Sequence, residues 1–201
     1  MGVRPPNPWK DLALNKIIFM MSVSLDGYFE TAGHSLAWQD ISDELHTHFN
    51  EELAAAGAML NGRVTYELMA AAWPTADEDP AAPKPVAEFA RIWRDLPKVA
   101  YSRTLSEAGW NTTIVRDVIP AEVEALRSAA GGDLFIGGPD LLTTFQRLGL
   151  VDEYRIYVHP TVIGAGNPLF RPGTNLRLRL TDTRQFTNGV VQLRYEPAQA
   201  E

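Results

Sequence analysis

The sequence predicts an α/β fold, a three-layer α-β-α sandwich around a mixed, mostly parallel sheet of about eight strands with an antiparallel C-terminal edge. Leu14 to Val23 is a nearly continuous apolar run, the pattern of a strand buried on both faces. Between that run and Arg147, short β-rich runs alternate with segments of helical period, which implies parallel pairing through crossover helices. From Tyr154 onward three strand signals follow one another without a helix, as an antiparallel edge requires.

Composition bounds the rest. The 201 residues, 45% hydrophobic and 21% charged, suffice for one sizeable core, so a single domain over 1–201 is expected. Eighteen Lys and Arg against twenty-five Asp and Glu leave a net charge of -7 and no basic stripe, which argues against nucleic acid as a partner. The absence of cysteine removes disulfides, thiolate nucleophiles and cysteine metal sites. Met1 to Trp9 carries three prolines and no apolar core, unlike a signal peptide or membrane anchor, and 1–13 reads as a flexible arm. A cytoplasmic protein without a membrane partner is expected.

After the first strand, Ser24-Leu25-Asp26-Gly27-Tyr28 supplies a turn, and the segment to Trp38 reads as a loop. Ile41, Leu45, Phe49, Leu53 and Ala56 recur at spacings of four and three on one helix face, with Asp40 or Ser42 as cap. Ala58-Met59-Leu60 is a brief strand, and a second helix starts within Asn61 to Glu67. Trp73 to Pro85, rich in Pro, Ala and acidic residues, reads as an exposed loop and candidate mobile flap, with a helix over Val86 to Arg94. Lys98 to Ser102 and Thr112 to Arg116 are strands. Pro120 opens a helix that Gly131-Gly132 closes. Asp133 to Gly138 is the fifth strand with its turn, and a helix follows to Arg147. Tyr154 to Val162, Leu176 to Leu180, and Val190 to Tyr195 after the hairpin signal Asn188-Gly189 form the edge.

Three strand-to-helix or strand-to-loop junctions carry the chemistry: Gly62-Arg63 with Thr65, Ser102-Arg103-Thr104, and Gly137-Gly138. A paired glycine lets backbone N–H groups approach a bulky anion, and the helix start beyond it adds free donors and a partial positive charge. The alternative for Gly137-Gly138 is a plain tight bend, and for each arginine a solvated surface side chain. In a parallel sheet, however, the carboxyl ends of the strands share one side, so these junctions can line one crevice. Two arginines there would clamp a terminal phosphate bidentately, which fits a dinucleotide with a 2′-phosphate.

These junctions, with Met21 to Gly27 and Pro160 to Gly166 before Leu169-Phe170, resemble the dihydrofolate reductase-like superfamily and, more narrowly, the C-terminal reductase domain of the riboflavin-pathway protein RibD. The resemblance spans roughly residues 15 to 196. It implies NADPH as cofactor, with Gly62, Arg63 and Thr65 meeting its phosphates and Ser102 with Arg103 facing the adenosine 2′-phosphate. It implies that Gly137-Gly138, often a cis peptide in such enzymes, lies against the pyrophosphate and nicotinamide side. Ser22, Pro139, Asp140 and Leu141 complete the cofactor set. Met20 and Tyr28 stand where RibD-type domains carry Lys and Arg, which argues against a phosphorylated ribosylaminopyrimidine as substrate. The carboxylate that folate reductases use on the helix after the first loop is not fixed by position, since Asp40, Asp43 and Glu44 all lie near it.

Asp26 and Asp43 are candidate proton donors. Trp38 and Phe49 are candidate substrate-stacking aromatics, or plain core residues. His46 and His48 point to different faces of their helix, so no metal site is expected. His159 would sit on an edge strand. The expected function is NADPH-dependent hydride transfer to a small pterin- or pyrimidine-like substrate. The alternative is a non-catalytic nucleotide-binding module acting through partner association. In either case the exposed C-terminal edge suits a homodimer.

Overall fold

The structure is a computed structural model that describes residues 15–198. The expected N-terminal arm and Leu14 lie outside the described residues. The chain runs β1 (Ile17–Val23), β2 (Tyr28–Thr31), α1 (Asp43–Ala54), β3 (Ala58–Gly62), α2 (Arg63–Ala72), α3 (Lys84–Asp95), β4 (Lys98–Tyr101) and β5 (Thr112–Val115). It continues through α4 (Pro120–Ala129), β6 (Leu134–Gly137), α5 (Pro139–Arg147), β7 (Glu153–Val158), β8 (Gly166–Pro168), β9 (Leu178–Gln185) and β10 (Val191–Pro197).

Eight strands form one sheet in the order β5-β4-β3-β6-β1-β7-β10-β9, with β2 and β8 as a separate two-stranded ribbon. The apolar β1 lies centrally, parallel to β6 on one side and to β7 on the other. Only β10 and β9 run antiparallel to their neighbours in this sheet, which is the expected edge.

Alternation along the strands builds two cores, because successive side chains point to opposite faces. Ile17, Phe19, Leu60, Leu134 and Ile136 pack with Val123 of α4 and Leu142 and Phe145 of α5. Ile18, Met59, Ala100 and Phe135 point the other way, onto Leu53 of α1, Tyr66 of α2, and Phe89 and Trp93 of α3. The three layers follow from that division.

Four local expectations are corrected. Ser42, not Asp40, caps α1: its Oγ accepts from Leu45 N at 3.3 Å, while the Asp40 carbonyl accepts from the Asn188 amide at 2.8 Å. The segment to Trp38 is not wholly loop, since β2 pairs there with β8. His159 is not on an edge strand: it follows β7, which lies between β1 and β10. The candidate flap is tied down, because Arg94 donates to both Asp77 carboxylate oxygens at 2.7 and 2.8 Å and to the Pro74 carbonyl at 2.6 Å. That guanidinium holds the Asp77 carboxyl at about 2.

Candidate functional site

The carboxyl ends of β3, β4, β5 and β6 open on one side of the sheet. β3 ends at Gly62 and runs directly into α2; its neighbour β6 ends at Gly137 and runs through Gly138 into α5. Neither helix has a side-chain cap at its N-cap residue, Gly62 for α2 and Gly138 for α5. Two helices that leave neighbouring strands for opposite faces of the sheet therefore present free first-turn N–H groups and the positive ends of their dipoles at the same end of the sheet. Pro139 at the first position of α5 has no N–H, so Asp140 and Leu141 carry the donors there.

Gly138 adopts φ +93°, a conformation that glycine alone enters without strain. A Cβ at Gly137 would collide with Asn61 Oδ1, and one at Gly138 with Thr65 Oγ1. Glycine is thus required at both positions by the close packing of Asn61 and Thr65 against the main chain. No cis peptide occurs among the described residues, so the expected cis bond at Gly137-Gly138 is not present; the positive φ of Gly138 redirects the chain instead.

A cleft of about 510 Å³ lies at these strand ends, lined by Gly62, Arg63, Ser102, Arg103, Asp140 and Leu141 among the residues expected from sequence. Tyr101, Arg116, Asp117, Thr144 and Arg147 line it as well. Arg63 is half exposed and donates to Glu67 at 2.7 Å. Ser102 is buried, and its Oγ accepts from the Thr104 and Leu105 amides at 3.2 and 2.9 Å, which shapes the turn after β4. Arg116 donates to the Ser102 and Leu105 carbonyls at 2.9 and 2.7 Å, so it is fixed in place with its charge uncompensated by those partners. Burial and nearby Glu122 push the Tyr101 hydroxyl up to about 12, leaving a neutral phenol on the cleft wall.

Arg116 and Arg147 were not among the residues expected from sequence. Both had a signal: Arg116 follows β5 as Arg103 follows β4, and Asp140, Thr144 and Arg147 fall at the four- and three-residue spacing of one helix face.

Gly137, Gly138, Pro139 and Thr65 do not line the cleft; Thr65 packs against both glycines. Asn61 beside them is fully buried with no protein partner for its amide. The remaining candidates are elsewhere. Ser22 lies within β1, in register with Tyr157. Phe49 packs edge-on to Tyr157 at 4.8 Å, in a small core with Leu45, Phe186 and Val190. Trp38 stands edge-to-face with His159 at 5.4 Å; the indole N–H and both ring nitrogens of His159 are buried without protein partners. Asp26 accepts from the Gly164 and Ile163 amides at 2.8 and 3.3 Å. Ser24 and those amides hold its carboxyl below the usual range. Asp43 is exposed on the first turn of α1, in a groove with Glu44, Thr47 and Arg184.

A second charged group lies toward the amino ends of β6 and β7, beneath α1. Glu52 bonds both Arg155 and Arg194, the latter at 2.7 Å, and Arg155 Nε also donates to Glu153 at 2.6 Å. His46 and His48 do face apart: His46 meets Trp73 and Phe89, while His48 meets Tyr157 and Phe186. Burial, then Arg184, Arg194 and Arg155, push His48 down to about 4, so it is neutral. A guanidinium only donates, so His48 Nδ1 accepts from Arg184 at 3.1 Å and Nε2 carries the proton toward the Tyr157 hydroxyl at 3.0 Å.

Comparison with known proteins settles the family. Residues 15–192 match the model of the RibD C-terminal domain. The chain belongs to the RibD C-terminal domain family. Uncharacterized protein YyaP of Bacillus subtilis (strain 168) is 34% identical over 187 residues, covering 92% of this chain and 96% of that one. A pyrimidine reductase-like protein from Corynebacterium diphtheriae NCTC superposes with a TM-score of 0.62 at 14% identity, over 92% of this chain and 93% of that one. Dihydrofolate reductase from Enterococcus faecalis, complexed with NADP(H) and RAB-propyl, gives 0.61 at 13% identity, over 92% and 97%. At such identities the two structures speak for the fold, a reductase-type fold of the dihydrofolate reductase-like kind. Among the described residues no helix is long and apolar enough to cross a membrane.

Proposed function

We propose that this protein is an NADPH-dependent reductase that transfers hydride to a small pterin- or pyrimidine-like substrate in the cytoplasm. One observation carries the reading: two helices with uncapped starts border one cleft, α2 through Gly62 and Arg63 and α5 through Asp140 and Leu141, and Arg103, Arg116 and Arg147 line it with them. Free main-chain donors suit a pyrophosphate, and the guanidiniums suit a further phosphate on the ribose. When bound, NADPH supplies the hydride. The chain's own part is to seat the phosphates, orient the rings and exclude water. The matching family and the pyrimidine reductase-like and dihydrofolate reductase neighbours support the same reading.

The test is NADPH titration followed by thermal melting, then a screen of pterins and pyrimidines for oxidation of the cofactor. Saturating NADPH raises the melting temperature, because a ligand bound only by the native state stabilises it. A shift without oxidation of the cofactor would favour the non-catalytic nucleotide-binding alternative, and no shift would overturn the cofactor reading.

We also read β9 as the pairing edge of a homodimer. Seven of its eight residues are exposed, and a bare strand edge invites a partner. Light scattering should give a dimer mass, and a proline at Thr181 should return a monomer.

A further inference from the structure

Arg103 enters the cleft already paired. Its Nε and Nη2 both donate to Asp117 Oδ1, the Nε contact at 2.9 Å. Arg103 follows β4 and Asp117 follows β5, its parallel neighbour, so the two reach across adjacent strand ends. The pair is open to water, with side chains 78% and 50% exposed, and such a pair exchanges partners readily. Asp140, the other carboxylate on the lining, is engaged by Arg171. Asp117 therefore stands as the negative charge directly on the guanidinium group at the β4 and β5 end of the cleft.

We propose that Asp117 sets the preference between a dinucleotide that carries a 2′-phosphate and one that does not. The inference rests on the cofactor reading above and specifies how that site chooses its ligand. A phosphate dianion entering among Arg63, Arg103 and Arg116 meets the charge of Asp117 and competes with it for the Nε and Nη2 edge of Arg103. A bare 2′-hydroxyl brings no charge and can donate to the Asp117 carboxylate. The carboxylate thus weakens the phosphorylated cofactor selectively, and the cleft discriminates less than its arginines alone would allow.

The experiment compares dissociation constants for NADPH and NADH, read from nicotinamide fluorescence, in the wild type, Asp117→Asn and Asp117→Ser. The expected result in both variants is NADPH binding about fivefold tighter at low salt, with the gain shrinking at high salt. NADH binding stays level or weakens. In an Arg103→Ala background the Asp117→Asn gain falls by more than half, since it acts through the freed guanidinium. Weaker NADPH binding in either variant overturns the inference, because Asp117 would then be orienting Arg103 for the phosphate. Equal shifts for both cofactors, or disagreement between the two variants, overturn it too. Binding of both dinucleotides with an unmoved ratio overturns this inference alone. A wild type that binds neither overturns the reductase reading and this inference together.

Discussion

Two groups of arginines sit at opposite ends of the sheet and are held in opposite ways. Around the cleft, Arg63 and Arg103 each hold one exposed carboxylate, and Arg116 holds main-chain carbonyls. Beneath α1, Arg155 shares Glu52 with Arg194 and shares Glu153 with Lys16, with side-chain exposures of 9%, 12% and 7% for Arg155, Glu52 and Glu153. An exposed pair can lose its partner to water or to a ligand at little cost. A buried pair cannot, because the remaining charge is left in a poorly polarisable surround. Burial and the number of partners, rather than residue type, separate an arginine free to bind from one that holds the fold.

The largest expected effect breaks the buried group. Glu52→Ala leaves Arg155 and Arg194 without their shared carboxylate and should cost about 3–5 kcal/mol in urea denaturation. A loss within about 0.5 kcal/mol, the range of an ordinary surface substitution, would erase the contrast. Next is Lys98, which shares β4 with the turn to Arg103 yet is buried, its ammonium bonded to the Leu96 carbonyl at 2.7 Å. Burial pushes it down to about 8 from 10.5. Between those values the unfolded chain binds more protons, so stability rises with pH; below 8 both states are protonated and the cost of the buried charge stands in full. Lys98→Met should abolish an alkaline rise on the order of 3 kcal/mol, read from denaturation at stepped pH. An unchanged rise would assign it to other groups.

The exposed group gives smaller effects of another kind. Arg63→Ala should weaken NADPH about tenfold, roughly the worth of one charge-assisted bond, and leave stability within about 0.5 kcal/mol. Unchanged affinity would remove Arg63 from the site. Smallest is Arg103→Ala read by stability alone, expected within about 0.5 kcal/mol, since its partner is exposed.

What was legible in the sequence follows the range of the forces involved. β1 and the junctions at Gly62 and Gly137 could be read because hydrophobic period and glycine placement are local signals. The ribbon of β2 and β8 could not: Tyr28–Thr31 is only half-buried, Gly166–Pro168 is three residues ending in proline, and each exists through a partner distant in the chain. The roles of Trp38 and Phe49 were undecided for a similar reason, since each depends on a distant partner, His159 just after β7 for Trp38 and Tyr157 within β7 for Phe49. The α1 cap went to Ser42 because Asn188, brought from the far hairpin, engages the Asp40 main chain. Arg116 and Arg147 carry local signals of the same kind, the one at a strand end and the other on a helix face.

The uncapped starts of α2 and α5 have a consequence for how this protein can change over generations. Main-chain amides have no side chain for a point substitution to delete, so beyond Gly137 and Gly138, where an added side chain would collide, substitutions act on the arginines and Asp117 around them. Under the cofactor reading proposed above, drift should retain the main-chain seat while the selectivity at its rim wanders.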